Sequence, residues 1–286
     1  MPIDAEKARG AALPASEASW GPDQVILYHL GVGAAADDAT APGELAYTYE
    51  RGLKVLPSYG VIPVFRAVGG MAAVPGLQIA NPALILHGEQ EIELHRPIPA
   101  QAKTESTGRV AGLYDKGKAA LIVLEVATRE AGGEPLFTNR FSIFARGEGG
   151  FGGESGPPAA DEPPAREPDR IVESRTTPNQ ALLYRLTGDK NPLHADPGFA
   201  KLGGFDRPIL HGLCSFGIVC KAVVDAELEG NVAAVARYRA RFAGVVFPGE
   251  TLVTSMWREG DRVLVRAHTK ERGTPVISNS SVALRS

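Results

Sequence analysis

The stretch Tyr184 to Gly212, YRLTGDKNPLHADPGFAKLGGFDRPILHG, decides how the rest of the chain is read. It sets a carboxylate, Asp189, and an imidazole, His194, five residues apart on a turn made by Gly188, Asn191 and Pro192. Pro192 removes a backbone donor and biases Asn191 away from the helical region, so the segment bends instead of continuing as helix. A bent loop is able to aim both groups at one point, as is needed when one group takes a proton from water while the other handles a second proton. Ordinary turn chemistry accounts for the same residues as an Asx turn beside a surface histidine, and on spacing alone that account is the simpler one. The stretch ends on His211-Gly212, where a long apolar segment begins.

Outward from the loop, the chain repeats itself. Asn179 to Leu186 (NQALLYRL) lines up with Asp23 to Leu30 (DQVILYHL), sharing Gln, Leu, Tyr and Leu at the same offsets. In that register Asp189 falls on Gly33 and His194 on Asp38, so one copy carries the acid and imidazole and the other does not. His211 to about Leu228 is apolar at helical spacing and predicts a buried helix. Its counterpart, Leu56 to Val68, is interrupted by Gly60 and Pro63, which break or shorten a helix, and Gly69-Gly70 stops it. Strand patterns follow in both halves. In the first they are the run from Ala83 through Leu94, Thr104 to Tyr114, Ala119 to Ala127 after the turn Asp115-Lys116-Gly117, and Phe137 to Phe144. In the second, Arg237, Arg239 and Arg241 alternate with Tyr238, Ala240 and Phe242, and Thr251 to Trp257, Val263 to His268 and Val276 to Leu284 complete the set. Each half thus reads as a short helix, a central helix and several antiparallel strands, an α+β layout in which a sheet covers a helix. Gly147 to about Asp169 is rich in Gly, Pro and Glu without apolar period, so the halves 1–146 and 176–286 are joined by an exposed linker over 147–175. Residues 1–20 read as a loose lead-in. In the helix beginning at Pro22, Gln24 and His29 are expected to face water.

Composition narrows the function. A chain of 286 residues with a formal charge of −3 has no long-range pull toward nucleic acid or an anionic membrane, so no nucleic-acid or membrane partner is expected. No apolar stretch approaches the length of a membrane span, no basic and apolar leader opens the chain, and Ala283-Leu284-Arg285-Ser286 does not match a Ser-Lys-Leu address. With two cysteines, Cys214 and Cys220, expected as core thiols on one helix, the cytoplasm is the expected compartment. Asp189, His194, Asp196, Asp206 and His211 crowd one region but match no common zinc spacing, and Gly147 to Gly153 lacks the Lys-Ser/Thr of a phosphate loop. No metal and no cofactor is therefore expected.

Gly188-Asp189-Lys190-Asn191-Pro192-Leu193-His194, with Tyr184 to Thr187 before it and Ala200 after it, resembles the signature of the type 2 enoyl-CoA hydratases, the MaoC-like dehydratases. The likeness continues through Gly204 to Cys214, Ala240-Arg241-Phe242 and Pro248 to Leu252. It reaches the first half at Leu30 to Ala34, Leu86 to Gln90, Asp115 to Gly117 and Gly149 to Gly153. The chain is similar to the hydratase region of peroxisomal multifunctional enzyme type 2 and its stand-alone bacterial relatives. The resemblance implies a double hotdog, two repeats each with an antiparallel sheet wrapped around a central helix that is shortened in the N-terminal repeat. It implies reversible hydration of trans-2-enoyl-CoA to (3R)-3-hydroxyacyl-CoA by a homodimer. It also implies that His87, Gly88, Lys116, Gly212 and Phe242 contact the acyl-CoA. Asn191 is grouped with them as the residue that shapes the loop and orients its neighbours. Read for chemistry, Asp189 and His194 form the acid/base pair. The Gly212 amide, at the positive end of the helix it opens, is suited to the negative charge that builds on the thioester oxygen. The N-terminal half, without its own pair and with a curtailed helix, is expected to house a long or bulky acyl tail. A dehydratase or thioesterase on a related acyl thioester stands beside this reading, as does a non-catalytic acyl-binding scaffold.

Overall fold

Ten antiparallel strands form one continuous sheet in the order β1-β3-β4-β5-β2-β7-β10-β9-β8-β6. The computed structural model describes residues 3–81, 84–158 and 160–285. The first five strands are β1 (Ala12–Trp20), β2 (Ile85–Leu94), β3 (Ala102–Asp115), β4 (Ala119–Glu130) and β5 (Pro135–Arg146). The second five are β6 (Arg170–Arg175), β7 (Val235–Phe242), β8 (Thr251–Glu259), β9 (Arg262–Thr269) and β10 (Pro275–Leu284). Read inward from either edge, the strands follow the same topological path, so the halves are related by a pseudo-twofold axis through the β2–β7 pair. This is the expected double hotdog. Ala83, where the first strand run was expected to begin, lies outside the described residues, as does Ser286.

The β2–β7 seam follows from strand alternation. Gln90 and Ile92 turn inward beside Ala240 and Tyr238, all fully buried. The outward residues are acidic on one strand and basic on the other: Glu89 faces Arg241, Glu91 faces Arg239 and Glu93 faces Arg237. Arg239 reaches Glu89 at 2.8 Å. The acids extend into a solvent-side row of alternating sign, Arg109–Glu125–Arg140–Glu91, with contacts of 2.8 to 2.9 Å.

The sheet curls around helical segments. In the second half α7 (Gly212–Leu228) is buried from Leu213 to Val224 except at Lys221. In the first half its place is taken by a 3-10 turn, Pro57–Val61, then α4 (Phe65–Gly69) and a second 3-10 turn, Gly70–Ala73. The interruption at Gly60 has a packing reason, since any Cβ there would strike Ile92 Cδ1. The backbone carbonyl it frees is satisfied from the sheet: Asn139 Nδ2 donates to Gly60 O at 3.0 Å, and Gln90 Nε2 donates to Asn139 Oδ1 at 2.9 Å.

Three expectations need correction. The expected loose lead-in over 1–20 is not found among its described residues, 3–20, which hold α1 (Ala5–Ala8) and the edge strand β1. Only Leu13 and Trp20 of β1 are buried, so its polar sequence carries no core signal. The linker over 147–175 loses its last six residues to β6, which pairs with β8 and leaves Ile171 60% exposed. What precedes it is strapped down: Gly150 and Gly152 amides donate to the Asp115 carboxylate at 3.0 and 2.6 Å, and the Trp257 indole donates to Arg166 O at 2.9 Å. His29 does not face water. It lies on α2 (Pro22–Gly31) beneath α3 (Pro42–Thr48), where its Nδ1 donates to Tyr47 O at 2.8 Å and its Nε2 accepts the Leu56 amide at 3.2 Å. Gln24, on the same helix, is exposed.

Candidate active site

The loop runs out of α5 (Gln180–Tyr184) through a 3-10 turn, Arg185–Thr187, and reverses at Gly188, whose φ of +144° suits glycine. Asp189 follows, and its Oδ1 accepts the Asn191 amide at 3.1 Å. Asn191 Oδ1 accepts the Leu193 amide at 3.0 Å and so starts the 3-10 turn Pro192–His194, after which α6 (Pro197–Leu202) begins. The Asx turn and the convergent pair are therefore both present. Turn bonds engage Asp189 Oδ1, and among the described residues no hydrogen bond or ion pair occupies its second carboxylate oxygen.

Asp189, His194 and His211 each present a polar side-chain atom, and the three lie within 4.8 Å of one another. His194 Nδ1 donates to Ile209 O at 2.9 Å. That bond fixes the tautomer and leaves the Nε2 lone pair free to take a proton. Burial lowers the His194 pKa, while the bond to Ile209 O and the Asp189 charge work the other way. His211 stacks on it, with ring centroids 3.7 Å apart at 29°, and donates from Nε2 to Asp189 O at 3.2 Å. One nitrogen of each ring, His194 Nδ1 and His211 Nε2, is committed to a main-chain oxygen, which leaves a single nitrogen apiece beside the Asp189 carboxylate. The cluster is able to handle protons around one water.

Gly212 is the first residue of α7, so its N–H has no acceptor within the helix. A Cβ at this position would touch the Phe242 ring at 3.4 Å. Phe242 in turn meets His87 edge-on at 5.0 Å, and His87 stacks on Phe141 at 5.4 Å. His87 sits at a β-bulge, donates from Nε2 to Glu89 O at 3.1 Å, and is held neutral by burial that lowers its pKa to about 4. The structure thus brings Gly212, Phe242 and His87 together across the seam. Gly88 is explained by packing, because a Cβ there would come within 2.6 Å of Phe144. Lys116 stands exposed at the β3–β4 tip, and among the described residues no hydrogen bond or ion pair ties it to Asp189 or His194. His211 and Tyr184, whose rings lie 4.9 Å apart, were not among the expected site residues. The signal for His211 was a histidine standing at a helix entry.

A cavity of about 840 Å³ opens from Gly188 into the first half; Trp20, Leu27, Tyr59, Ile62 and Phe65 supply its apolar wall, and Glu17, Arg66, Lys103 and Glu105 also line it. Phe65 and Gly188 line it together, the Phe65 ring 3.4 Å from where a Gly188 side chain would begin. The pseudo-twofold axis relates it to a smaller cavity of about 360 Å³, lined by Gly33, Asp37, Arg175 and α7. There Lys221 pairs with Glu44 at 2.6 Å and Asp225 at 2.9 Å.

Residues 19–147 match the model of the MFE-2 hydratase 2 N-terminal domain, and residues 159–280 match that of the MaoC like domain. The enoyl-CoA hydratase ChsH3 of Mycobacterium tuberculosis is 44% identical, with 97% of each chain covered. This chain belongs to the MaoC-like dehydratase family. Within that family, the peroxisomal enoyl-CoA hydratase 2 of Arabidopsis thaliana is 43% identical over 93% of this chain and 91% of its own. The MaoC-like dehydratase of Phytophthora capsici superposes with a TM-score of 0.89 at 34% identity, covering 99% of this chain and 98% of that one. Like these relatives, the MaoC-like chain is a hydro-lyase.

Proposed function

We propose that the chain catalyses the reversible hydration of trans-2-enoyl-CoA to (3R)-3-hydroxyacyl-CoA. The observation that carries this is the convergence of Asp189 and His194 beside the free first amide of α7. A water held between the two side chains gives its oxygen to C3 and one proton to the pair, and the pair returns a proton to C2. Negative charge on the thioester oxygen during this exchange is met by the Gly212 N–H and the helix dipole, a donor whose loss costs about 100-fold or more in comparable sites. Burial keeps His194 neutral near pH 7, with Nε2 open toward the water.

The acyl tail occupies the larger cavity, entered past Gly188 and Phe65. Support comes from its volume and from its apolar wall of Trp20, Leu27, Tyr59 and Ile62. Residues 1–146 thus act as a tail-binding hotdog without catalytic groups, and 176–286 as the catalytic hotdog. In this reading Phe242 and His87 back the thioester, Asn191 shapes the loop, Gly88 lets the strand pass close to Phe144, and Lys116 meets the charged end of CoA. A homodimer in the cytoplasm is the setting proposed. The two unbridged thiols in the core support the compartment, and among the described residues no helix is long and apolar enough to cross a membrane.

The test follows the enoyl absorbance of crotonyl-CoA and of a longer 2-enoyl-CoA with wild type and with His194→Ala. Enoyl loss that depends on His194 is the expected result. Release of free thiol marks a thioesterase instead, and no turnover by wild type marks an acyl-binding scaffold.

A further inference from the structure

His211 is an expensive choice at its position. It is 1% exposed, and its Nδ1 is buried with no hydrogen-bond partner among the described residues. Leaving such an atom unmade costs about 1–3 kcal/mol. The residue stands at the N-cap of α7, where Ser, Thr, Asp or Asn would bond a helix amide. The His211 side chain makes no capping bond. Helix entry does not explain the imidazole, and an apolar side chain would fill the space without stranding a lone pair.

What the ring does instead is turn back onto the loop. Its Nε2–H holds the main-chain oxygen of Asp189 at 3.2 Å, and its face lies on His194 at 3.7 Å. Tyr184 supports the ring from beside it at 4.9 Å. We infer that His211 is a positioning residue, which fixes the Asp189 backbone and the plane of the His194 ring so that carboxylate and imidazole share one water. The inference rests on the hydration reading for its kinetic arm only. Burial first, and the neighbouring His194 second, lower the His211 pKa to about 3, so the ring stays neutral and keeps its Nε2–H across the working range. The other titratable groups facing the pair are Asp189, Arg185 and Tyr184.

The bond and the stack are separable by substitution. His211→Gln places an amide N–H near the former Nε2 and removes the ring, His211→Phe keeps a ring and removes the bond, and His211→Ala removes both. For His211→Ala we expect kcat on a 2-enoyl-CoA to fall about 10- to 100-fold, with KM changed by no more than about twofold. Water entering the vacated space relieves the burial of His194. The acid limb of the kcat/KM profile therefore moves up toward pH 6.5, the ordinary imidazole value. Each single-function variant recovers part of the loss. Imidazole 15N shifts of His194 give a readout that needs no turnover: one fixed Nδ1–H tautomer in wild type, tautomer averaging and a raised pKa in His211→Ala. Wild-type kcat and an unmoved acid limb in folded His211→Ala overturn the proposal. So does a loss of kcat with unshifted His194 resonances and no recovery in either partial variant. If His211→Ala does not fold, the Gln and Phe variants decide by the same readouts. Absence of hydration in wild type removes the hydratase reading, while the His194 resonances still decide the positioning role.

Discussion

The loop of residues 184–194 and its counterpart, residues 28–38, occupy pseudo-equivalent places and have opposite fates. The second-half copy turns at Gly188 and holds Asp189 and His194 against the entry of an uninterrupted helix. The first-half copy turns at Gly33, with φ +89°, and its Asp38 merely closes an exposed turn by accepting from the Thr40 amide and hydroxyl at 2.8 and 2.7 Å. The helical layers differ in the complementary way. Beside the competent loop the first half's helix is broken and a cavity of about 840 Å³ remains, whereas beside the silent loop α7 is whole and about 360 Å³ remains. Under the proposed function, duplication permits a division of labour: one copy keeps the reactive groups, and the other gives up helix to make room for the acyl tail. A single hotdog unit has to place loop, helix and substrate tail within one set of constraints.

The sharpest way to break this comparison is to remove the reactive imidazole. His194→Ala is expected to lower kcat about 10²–10⁴-fold, while Asp38→Ala, at the matching place, leaves kcat unchanged in the same enoyl-CoA assay. A large loss from the second variant would show that the first-half loop is not silent.

Next in size is the brace of the smaller cavity. Lys221→Met takes the cation from Glu44 and Asp225, which keep the Ala35 amide and the Tyr47 hydroxyl as donors, and urea denaturation should register a loss of about 2 kcal/mol, less than for a fully buried pair because both acids are partly in water. Activity of the folded protein should not change.

Chain-length preference gives a finer test. Leu27→Trp, which narrows the larger cavity, is expected to lower kcat/KM on a long-chain enoyl-CoA by about tenfold, the scale of lost apolar contacts in a pocket, and to spare crotonyl-CoA. Ala226→Leu in the smaller cavity should alter neither. Equal long-chain rates for wild type and Leu27→Trp would contradict the tail assignment.

The smallest effect concerns acid. Unfolded histidines titrate near pH 6.5, but burial lowers His29 and His87 to about 4. Between those values the unfolded chain binds protons that the fold refuses, so stability falls as pH drops. Each such histidine contributes about 1 kcal/mol per pH unit. Urea midpoints measured from pH 7 to 5 should decline, and His29→Gln should make the decline shallower. An unchanged slope would place His29 in contact with water.

Much of this was legible in sequence because it depends on local pattern. The matched run of Gln, Leu, Tyr and Leu exposed the duplication, Gly60 and Pro63 marked the broken helix, and Asp115-Lys116-Gly117 marked a hairpin tip. The edge strands β1 and β6 were hidden because an edge needs one partner and little burial, so Ser16, Glu17 and Glu173 look like loop. His29 was misplaced because α3, opening on Pro42-Gly43, gave no sign that it would cover α2. At the site, the spacing of Asp189 and His194 alone favours an Asx turn beside a surface histidine, and the likeness of residues 188–194 to the family signature is what singles out the pair. The face-to-face approach of His211, like the meeting of Phe242 with His87, is created by tertiary folding between segments far apart in the chain.

The β2–β7 seam carries a further consequence. A carboxylate-bearing strand laid antiparallel on its own twin would set Glu against Glu, and a guanidinium-bearing strand would set Arg against Arg, each repelling its neighbour. Only the mixed pairing neutralises both. Along this edge the two repeats are complements, and neither strand can stand in for the other without setting like charges together.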